Sequence, residues 1–176
     1  MMQFKKISNE VFYTNKTITQ IEDRDIAFLK ANVKNTEKKR IRLCMHLNEK
    51  DSTHEMFIVL SNKTYIRPHK HLSKSESLHV LEGSADVIFF DNTGKITKII
   101  SLSDASSKSC FYYRINEPTY HTFIVKSDIF IFHETTQGPF RKSDTIYAPW
   151  SPKENDFDKI TKFFLELKES VKTFID

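Results

Sequence analysis

The 176-residue sequence is poor in glycine and cysteine, with only three glycines and two cysteines. Because glycine is so scarce, we expect each one to mark a backbone position that other residues fit poorly. The cysteines, Cys44 and Cys110, form no CxxC pair. A reduced chain is therefore favoured, although a disulfide between them stays open. The sequence also lacks internal repeats and low-complexity linkers, which excludes a repeat architecture.

Two further absences concern membranes. No run of 18 apolar residues occurs, which excludes a transmembrane helix. The N-terminal sequence MMQFKKISNE lacks the apolar stretch of a signal peptide. We therefore expect a soluble cytoplasmic protein with no membrane partner.

What the sequence does have is ample apolar material for one domain. Hydrophobic residues make up 39% of the chain and include 15 Phe and 6 Tyr, which suffices for a core and favours β-strands. The net charge of +4 comes from scattered basic residues, apart from the run Lys-Lys-Arg at 38–40. We interpret that run as a solvated segment. No nucleic-acid partner is expected, because no basic stripe or recognised module accompanies it.

The spacing of apolar residues divides the chain into three regions. In residues 19–33 the spacing is helical and follows Thr19, a candidate cap, which predicts a short helix in an N-terminal extension, residues 1–39. Nine short apolar or alternating runs, broken by turn residues, fill most of residues 40–150 and indicate a mainly-β barrel or sandwich. Residues 151–176 predict an amphipathic helix that packs on the barrel or on a partner subunit.

The sequence PHKHLSKSESLHVLEG holds the candidate functional site. His69 and His71 are separated by one residue, so on a strand both side chains point to the same face. Glu76 follows after four intervening residues, and His121 begins a later apolar run as the natural third imidazole. Three imidazoles and a carboxylate suit one divalent transition metal ion, with Zn, Fe, Mn and Ni as candidates.

The spacing HxH, four residues, Glu, six residues, Gly resembles the first motif of the cupin superfamily. The resemblance implies a jelly-roll barrel in which His69, His71 and Glu76 bind metal together with a histidine of the second motif, here His121 in PTYH. Lys63 stands where the first motif usually has glycine, and the second motif also departs from the common form. The expected fold is a mainly-β cupin jelly roll with a short N-terminal helix and a C-terminal amphipathic helix.

A closer resemblance, to the WbuC family of cupin-fold metalloproteins, covers most of the chain. It is carried by RLCMHL, TYIRPHKH, LHVLEGSADVIFFDNTG, YHTFIV, GPF and YAPWSP. Members of that family are found in bacterial gene clusters for surface polysaccharide (O-antigen). The resemblance implies a metal-binding protein that acts on a small molecule, a sugar or sugar-nucleotide, in surface-polysaccharide biosynthesis. It does not specify the reaction.

Four further side chains are candidates for the surroundings of the site. Tyr65 and Arg67 share the parity of the strand histidines, so we expect both to line the interior as tentative catalytic groups. Arg67 could bind a carboxylate or phosphate, or it could pair with a buried acid such as Glu134. Arg42 and His46 share one face of an earlier run and could form a wall of a substrate pocket. The alternative for His46 is a hydrogen-bonded structural ring beside a buried thiol.

Two other histidines are expected outside the site. His79 has the opposite parity to Glu76 on the same run, so it is predicted to be structural or exposed. His54 begins another run and is predicted to lie at the surface.

Three functions remain open at this stage. The first is a metal-dependent enzyme, an isomerase or epimerase or a dioxygenase, in which the ion activates the substrate. The second is a non-catalytic metal-containing module that binds a sugar. The third is a metal-free sugar epimerase, which the intact ligand set argues against. We also expect a homodimer, since the Phe-rich C-terminal helix offers an additional contact surface.

Overall fold

The computed structural model describes residues 4–175. Its first half contains β1 (Phe4–Lys6), β2 (Val11–Thr14), α1 (Asp23–Val33), β3 (Arg40–Cys44), β4 (Thr53–Ser61), β5 (His69–His71) and β6 (Glu76–Glu82). Its second half contains β7 (Ser84–Phe90), β8 (Ile96–Ser103), β9 (Tyr112–Ile115), β10 (Tyr120–Val125), β11 (Ile129–Gln137), β12 (Thr145–Tyr147) and α2 (Phe157–Ile175). Single turns of 3₁₀ helix lie at Ala105–Ser107 and Lys142–Asp144.

The strands form two sheets. One contains seven strands in the order β1-β2-β3-β4-β11-β6-β9, and the other contains five in the order β12-β5-β10-β7-β8. Paired strands are antiparallel except β2 and β3, which run parallel. Strands that are distant in the sequence lie side by side, as they do in a jelly roll. The predicted mainly-β jelly-roll fold is confirmed.

The main apolar core lies between the inner faces of the two sheets. Leu78, Phe130 and Phe132 extend into it from the seven-stranded sheet, and Phe123 extends from the five-stranded sheet. Complete burial of side chains of this size stabilises the fold by roughly 1.5–3 kcal/mol each. Along β11 the inward positions after Phe132 are polar, beginning with Glu134. The interior therefore changes from apolar to polar toward one end of the barrel.

The predicted N-terminal helix is present as α1, and it covers the outer face of the seven-stranded sheet. Leu29 and Val33 are fully buried against β3, β4 and β11. The helix begins after Glu22, whose backbone N–H donates to the Asp25 carboxylate at 3.0 Å. The prediction that Thr19 caps the helix is wrong, because its hydroxyl contacts the hydroxyl of an earlier strand residue instead.

The predicted C-terminal helix is present as α2, and it packs on the barrel of its own chain. Leu167 and Val171 are buried against the outer face of the five-stranded sheet, beside Ile88 and Ile124. The structure thus shows α2 on the barrel, and additional packing on a partner subunit stays a prediction. Within residues 4–175, no helix combines the length and the apolar character needed to cross a membrane.

The N-terminal region contributes more than a helix to the fold. β1 and β2 extend the seven-stranded sheet, and β2 pairs with β3 through Val11 opposite Arg42 and Phe12 opposite Leu43. The sheet therefore begins before residue 40, where the sequence suggested that the barrel starts. The extreme residues of the predicted regions, 1–3 and 176, lie outside the described residues.

One of the nine predicted strand runs, TYIRPH, is not a strand. Residues 64–68 are irregular, and β5 begins only at His69. Pro68 has no backbone N–H to donate to a ladder, which disfavours regular pairing at this point. The two-residue alternation therefore does not apply before His69.

Candidate metal centre

Three histidines converge on the inner face of the five-stranded sheet. His69 and His71 lie at the two ends of β5, and strand alternation puts both on one face. His121 lies on the adjacent strand β10, directly opposite His69. The ring centroid of His69 lies 5.1 Å from that of His71 and 4.6 Å from that of His121. The three imidazoles predicted from the sequence thus form one cluster.

Glu76 reaches this cluster from the facing sheet, where it is the first residue of β6 and is 5% exposed. Its Oε2 lies 3.3 Å from Nε2 of His71, and its Oε1 lies 3.5 Å from Nε2 of His121. Two ligands of one ion, each bound at roughly 2.1 Å, lie about 3.0–3.4 Å apart in octahedral or tetrahedral geometry. The carboxylate and these two rings have nearly the spacing of ligands that share an ion.

The cluster is not a finished coordination sphere. Within residues 4–175, no group of three or more His, Cys, Asp or Glu side chains could hold a metal ion as it stands. His69 meets its neighbours through ring contacts, whereas His71 and His121 direct Nε2 at the carboxylate. The case for metal therefore depends on how the ring nitrogens are oriented and on the chemistry of the four donors.

The outer nitrogen of each imidazole has its own partner. Nδ1 of His69 donates to the carbonyl of Arg67 at 2.9 Å, and Nδ1 of His121 donates to the carbonyl of Thr119 at 3.0 Å. Since a carbonyl can only accept, the neutral rings carry their proton on Nδ1 and present a lone pair on Nε2. A third contact joins Nδ1 of His71 to the Thr145 hydroxyl at 3.2 Å. Such partners orient histidines that bind metals.

The surroundings of the cluster also set its charge. Burial lowers the pKa of His69 to about 3, so this ring is neutral at physiological pH. Burial alone would raise the pKa of Glu76, but the hydrogen bonds of His121 and His71 hold that pKa well below its usual range. Glu76 is therefore a carboxylate. Burial would lower the pKa of His121, but Glu76 raises it, so the contact between Nε2 of His121 and Glu76 holds a proton that a metal ion would displace on binding.

A cavity of about 340 Å³ adjoins the cluster, and all four side chains line it. Small-molecule sites generally measure roughly 300–1,000 Å³. Arg42 and His46, which the sequence suggested as a pocket wall, both line the cavity. The wall also contains Phe123 and Phe132 from the apolar core. The cavity can therefore hold a small molecule in contact with the cluster.

Arg67 lines the same cavity but is held by the segment that crosses from β12 to α2, residues 147–154, which we term the crossing segment. Its Nε donates to the Ser151 hydroxyl at 3.0 Å, and its Nη2 donates to the Ala148 carbonyl at 3.2 Å. The guanidinium carbon lies 4.9 Å from the centre of the Tyr147 ring. The structure therefore shows Arg67 bracing the crossing segment, and not paired with Glu134. Its catalytic role stays a prediction.

The expectation that Tyr65 lines the interior is wrong. Its hydroxyl donates to the carbonyl of Pro152 at 2.9 Å, and its ring contacts Phe163 and Phe164 of α2. Burial raises the pKa of Tyr65 to about 12, which makes it a poor proton donor at neutral pH. The structure gives Tyr65 no contact with the cluster, and its tentative catalytic role is left without geometric support.

His54 lies inside the protein, contrary to its predicted place at the surface. Its ring stacks on that of His46, with the centroids 4.0 Å apart and the planes within 6° of parallel. Both histidines are buried and line the cavity. Nδ1 of His46 accepts the backbone N–H of Glu55 at 3.2 Å. His79, by contrast, is exposed as predicted.

His54, Lys74 and Thr145 are among the cavity residues that sequence reasoning missed. His54 could have been found, because it shares the parity of Met56 and Ile58, which also face inward on β4. Lys74 and Thr145 gave no such signal. The first lies in the loop between β5 and β6, and the second belongs to β12, a strand of only three residues.

Comparison with known proteins identifies the fold to which this architecture belongs. A family model described as a domain of unknown function (DUF6016) matches residues 21–102. No curated protein matches. Protein SO0799 of Shewanella oneidensis is similar in structure over 73% of this chain and 85% of its own, with 12% identity and a TM-score of 0.54. The fold is the cupin jelly roll.

Two structures of CapF are also similar in fold. CapF with the inhibitor 3-isopropenyl-tropolone matches over 64% of this chain and 32% of its own, with 16% identity and a TM-score of 0.51. The capsular polysaccharide assembling protein CapF from Staphylococcus aureus matches over 56% of this chain and 27% of its own, with 17% identity and a TM-score of 0.45. This chain thus corresponds to about a third of CapF or less. At 16% identity, the likeness to the inhibitor-bound CapF structure concerns the fold alone.

Proposed function

We propose that this protein is a metal-binding cupin that acts on a small molecule held in the cavity beside the metal. The observation that carries the proposal is the convergence of Nε2 of His71 and of His121 on the Glu76 carboxylate, at 3.3 and 3.5 Å. Together with His69, these side chains would hold one divalent transition metal ion, Zn, Fe, Mn or Ni. Their Nδ1 partners support this assignment, because they leave Nε2 as the inward-facing donor.

The donor chemistry fits a transition metal better than calcium or magnesium. Ca²⁺ and Mg²⁺ prefer oxygen ligands, whereas imidazole nitrogens suit Zn, Fe and Ni. His69 is the ring whose orientation must adjust most, since it meets His71 face to edge and meets His121 at a tilt of 50°, and it lies on a half-buried strand. Its neutral state removes any charge repulsion with an incoming cation.

An ion at this place would supply Lewis acidity toward a carbonyl, hydroxyl or phosphoryl oxygen of the ligand. The chain's own residues perform the remaining tasks. The four ligands would hold the ion beside the cavity, while the Arg67 carbonyl orients the ring of His69 and the Thr145 hydroxyl orients that of His71. Phe123 and Phe132 exclude water from the inner wall.

The ligand that we propose is a sugar or sugar-nucleotide of bacterial surface-polysaccharide biosynthesis. This assignment rests on the resemblance of the sequence to the WbuC family, of which we propose that the chain is a relative. CapF is named as a capsular polysaccharide assembling protein, and a related role is compatible with that name. A soluble cytoplasmic protein is part of the same proposal.

A non-catalytic module that binds a sugar through the metal is the second candidate. This candidate is favoured because the two candidate catalytic side chains have other partners. Arg67 donates to the crossing segment, and Tyr65 contacts Pro152 and α2. A homodimer also stays a prediction. The apolar face of α2 is occupied by the barrel, but Phe157, Leu165 and Phe174 remain exposed on the helix.

Metal titration of the chelated protein tests the proposal. We expect one ion per chain to bind the wild type, and at least 100-fold weaker binding in His71→Ala and Glu76→Gln. The matched control is His79→Ala, which removes an exposed histidine from β6 and should leave the affinity unchanged. Binding that is absent, or equally weakened in all three variants, would overturn the proposal.

A further inference from the structure

Arg42 and Lys74 are two of the basic residues that line the cavity. Arg42 lies on β3, and Lys74 lies in the loop before β6. Within residues 4–175, neither forms an ion pair, whereas Arg40, two positions from Arg42 on the same strand, is 3.4 Å from Glu154. Glu134 faces the same cavity but lies beyond ion-pair distance of Arg42. Arg42 is exposed at the cavity wall, and the Lys74 ammonium lies 5.6 Å from the centre of the Phe140 ring. Both cations therefore line a cavity that also contains Glu49 and Glu134, with no carboxylate of the described residues at ion-pair distance.

The stacked rings of His46 and His54 line the same cavity as these two cations. Lys74 and His54 both line the cavity, and burial together with the charge of Lys74 lowers the pKa of His54. Burial, His54 and then Arg42 contribute to lowering the pKa of His46 to about 4, although Glu55 and Asp51 act in the opposite direction. Both rings are therefore neutral at physiological pH and can donate or accept hydrogen bonds without adding charge.

The pairing of β4, β11 and β6 gives the position of His54 relative to the candidate metal centre. His54 on β4 is paired with Thr136 on β11, and Thr136 is paired with Glu76 on β6. His54 and Glu76 therefore occupy one cross-strand row, two strands apart, which corresponds to roughly 10 Å. A single small molecule can span that distance within the cavity of about 340 Å³.

We propose that Arg42 and Lys74 form an anion subsite that binds a carboxylate or phosphate group of the ligand, while the rest of the ligand reaches the histidine and glutamate cluster. The part that concerns the cluster rests on the proposed function. Arg42 supplies a planar fork suited to two acceptor oxygens, and Lys74 supplies a point charge. The cavity volume of about 340 Å³ is near the lower end of the range for small-molecule sites. This volume favours one acidic sugar unit over a complete sugar-nucleotide.

Calorimetric titration with inorganic phosphate, D-glucuronate and D-glucose tests the subsite in the metal-loaded and the chelated protein. Wild type should bind phosphate and glucuronate more tightly than neutral glucose. Arg42→Gln and Lys74→Gln should each weaken binding of the two anions about ten-fold or more, since each removes a charge-assisted contact. Lys98→Gln, at an exposed position on β8, is the control and should behave as wild type. Preference for phosphate over glucuronate, or the reverse, identifies which acidic group the subsite takes.

The outcomes distinguish a failure of the anion subsite from a failure of the proposed metal site. The subsite is overturned if the wild type does not bind the anions, or if it binds glucose and glucuronate with equal affinity. It is also overturned if both substitutions leave anion affinity unchanged, or if Lys98→Gln lowers that affinity equally. If phosphate binding depends on Arg42 and Lys74 but no metal binds, the subsite stands and the proposed function fails. Arg42→Gln and Lys74→Gln should leave the metal affinity unchanged.

Discussion

Oε2 of Glu76 lies 3.3 Å from Nε2 of His71, and this contact joins the two sheets of the barrel. Glu76 begins β6 in the seven-stranded sheet, whereas His71 ends β5 in the five-stranded sheet. The cluster therefore forms only when the two sheets have closed on each other. An ion bound at this place would stabilise the folded protein, because the unfolded chain does not assemble the site.

This coupling predicts a gain in thermal stability on metal binding. At a free metal concentration 100 times the dissociation constant, the gain is about 2.7 kcal/mol, or roughly 5–10 °C for a domain of this size. The gain should disappear in Glu76→Gln and persist in His79→Ala. A melting temperature that does not respond to metal in the wild type would contradict the prediction.

Thr145 provides a test of the orientation of His71. Its hydroxyl is the partner of Nδ1 at 3.2 Å, so Thr145→Val should leave the ring free to rotate. Loss of such a partner generally weakens metal binding by about 10- to 100-fold. Thr145→Ser keeps the hydroxyl and should retain most of the affinity. Equal affinities for the Val and Ser variants would show that this contact does not orient the ring.

The buried ring of His46 predicts a loss of stability in acid. Its pKa is lowered from 6.5 to about 4, chiefly by burial, so between these values the unfolded chain binds a proton that the folded ring does not. Its contribution to stability is therefore complete above pH 6.5 and decreases as the pH falls toward 4. Unfolding of the chelated protein should show a steeper fall over this range in wild type than in His46→Gln. Parallel curves would contradict the prediction.

The contacts of Arg67 predict its effect on the crossing segment. Arg67→Ala removes the donors to Ser151 and Ala148, so backbone amides of residues 147–154 should exchange with deuterium faster. The expected cost is about 1–3 kcal/mol of unfolding free energy. Arg114→Ala, at an exposed arginine on β9, is the control and should leave exchange in this segment unchanged. Unchanged exchange in Arg67→Ala, together with lost ligand binding, would support a direct role of Arg67 on the ligand instead.

The part of the site that could be predicted from the sequence is the part that lies in regular strands. His69 and His71 share a face because β5 is a strand, and side chains alternate along it whatever their surroundings. Glu76 and His121 were placed by the cupin motifs, since no local rule brings facing sheets together. Eight of the nine predicted strand runs contain a strand, because short runs of β-branched and aromatic residues bounded by turn residues favour strands.

Tyr65 shows where the alternation rule ends. Residues 64–68 belong to no ladder, so a parity counted back from His69 has no meaning there. The actual partners of Tyr65 are Pro152, Phe163 and Phe164, which lie more than 80 positions away in the sequence. Contacts of this kind depend on how the C-terminal segment crosses the barrel, and no pattern around Tyr65 encodes that path.

His54 shows a different limit. β4 is covered on its inner face by the barrel interior and on its outer face by α1, so apolar residues occupy both parities, as Val59 beside Ile58 illustrates. The alternation that would separate inside from outside is therefore weak in the sequence HEMFIVL. The parity that His54 shares with Met56 and Ile58 is therefore only a weak local sign of the face on which it lies.

Diffraction from crystals grown with a transition metal, with data collected at the absorption edge of that metal, tests the central claim most directly. The account predicts one strong anomalous peak per chain, bound by Nε2 of His69, His71 and His121 and by the carboxylate of Glu76. A fully metal-exposed crystal with no peak at this cluster, or with its strongest peak on other residues, would contradict it.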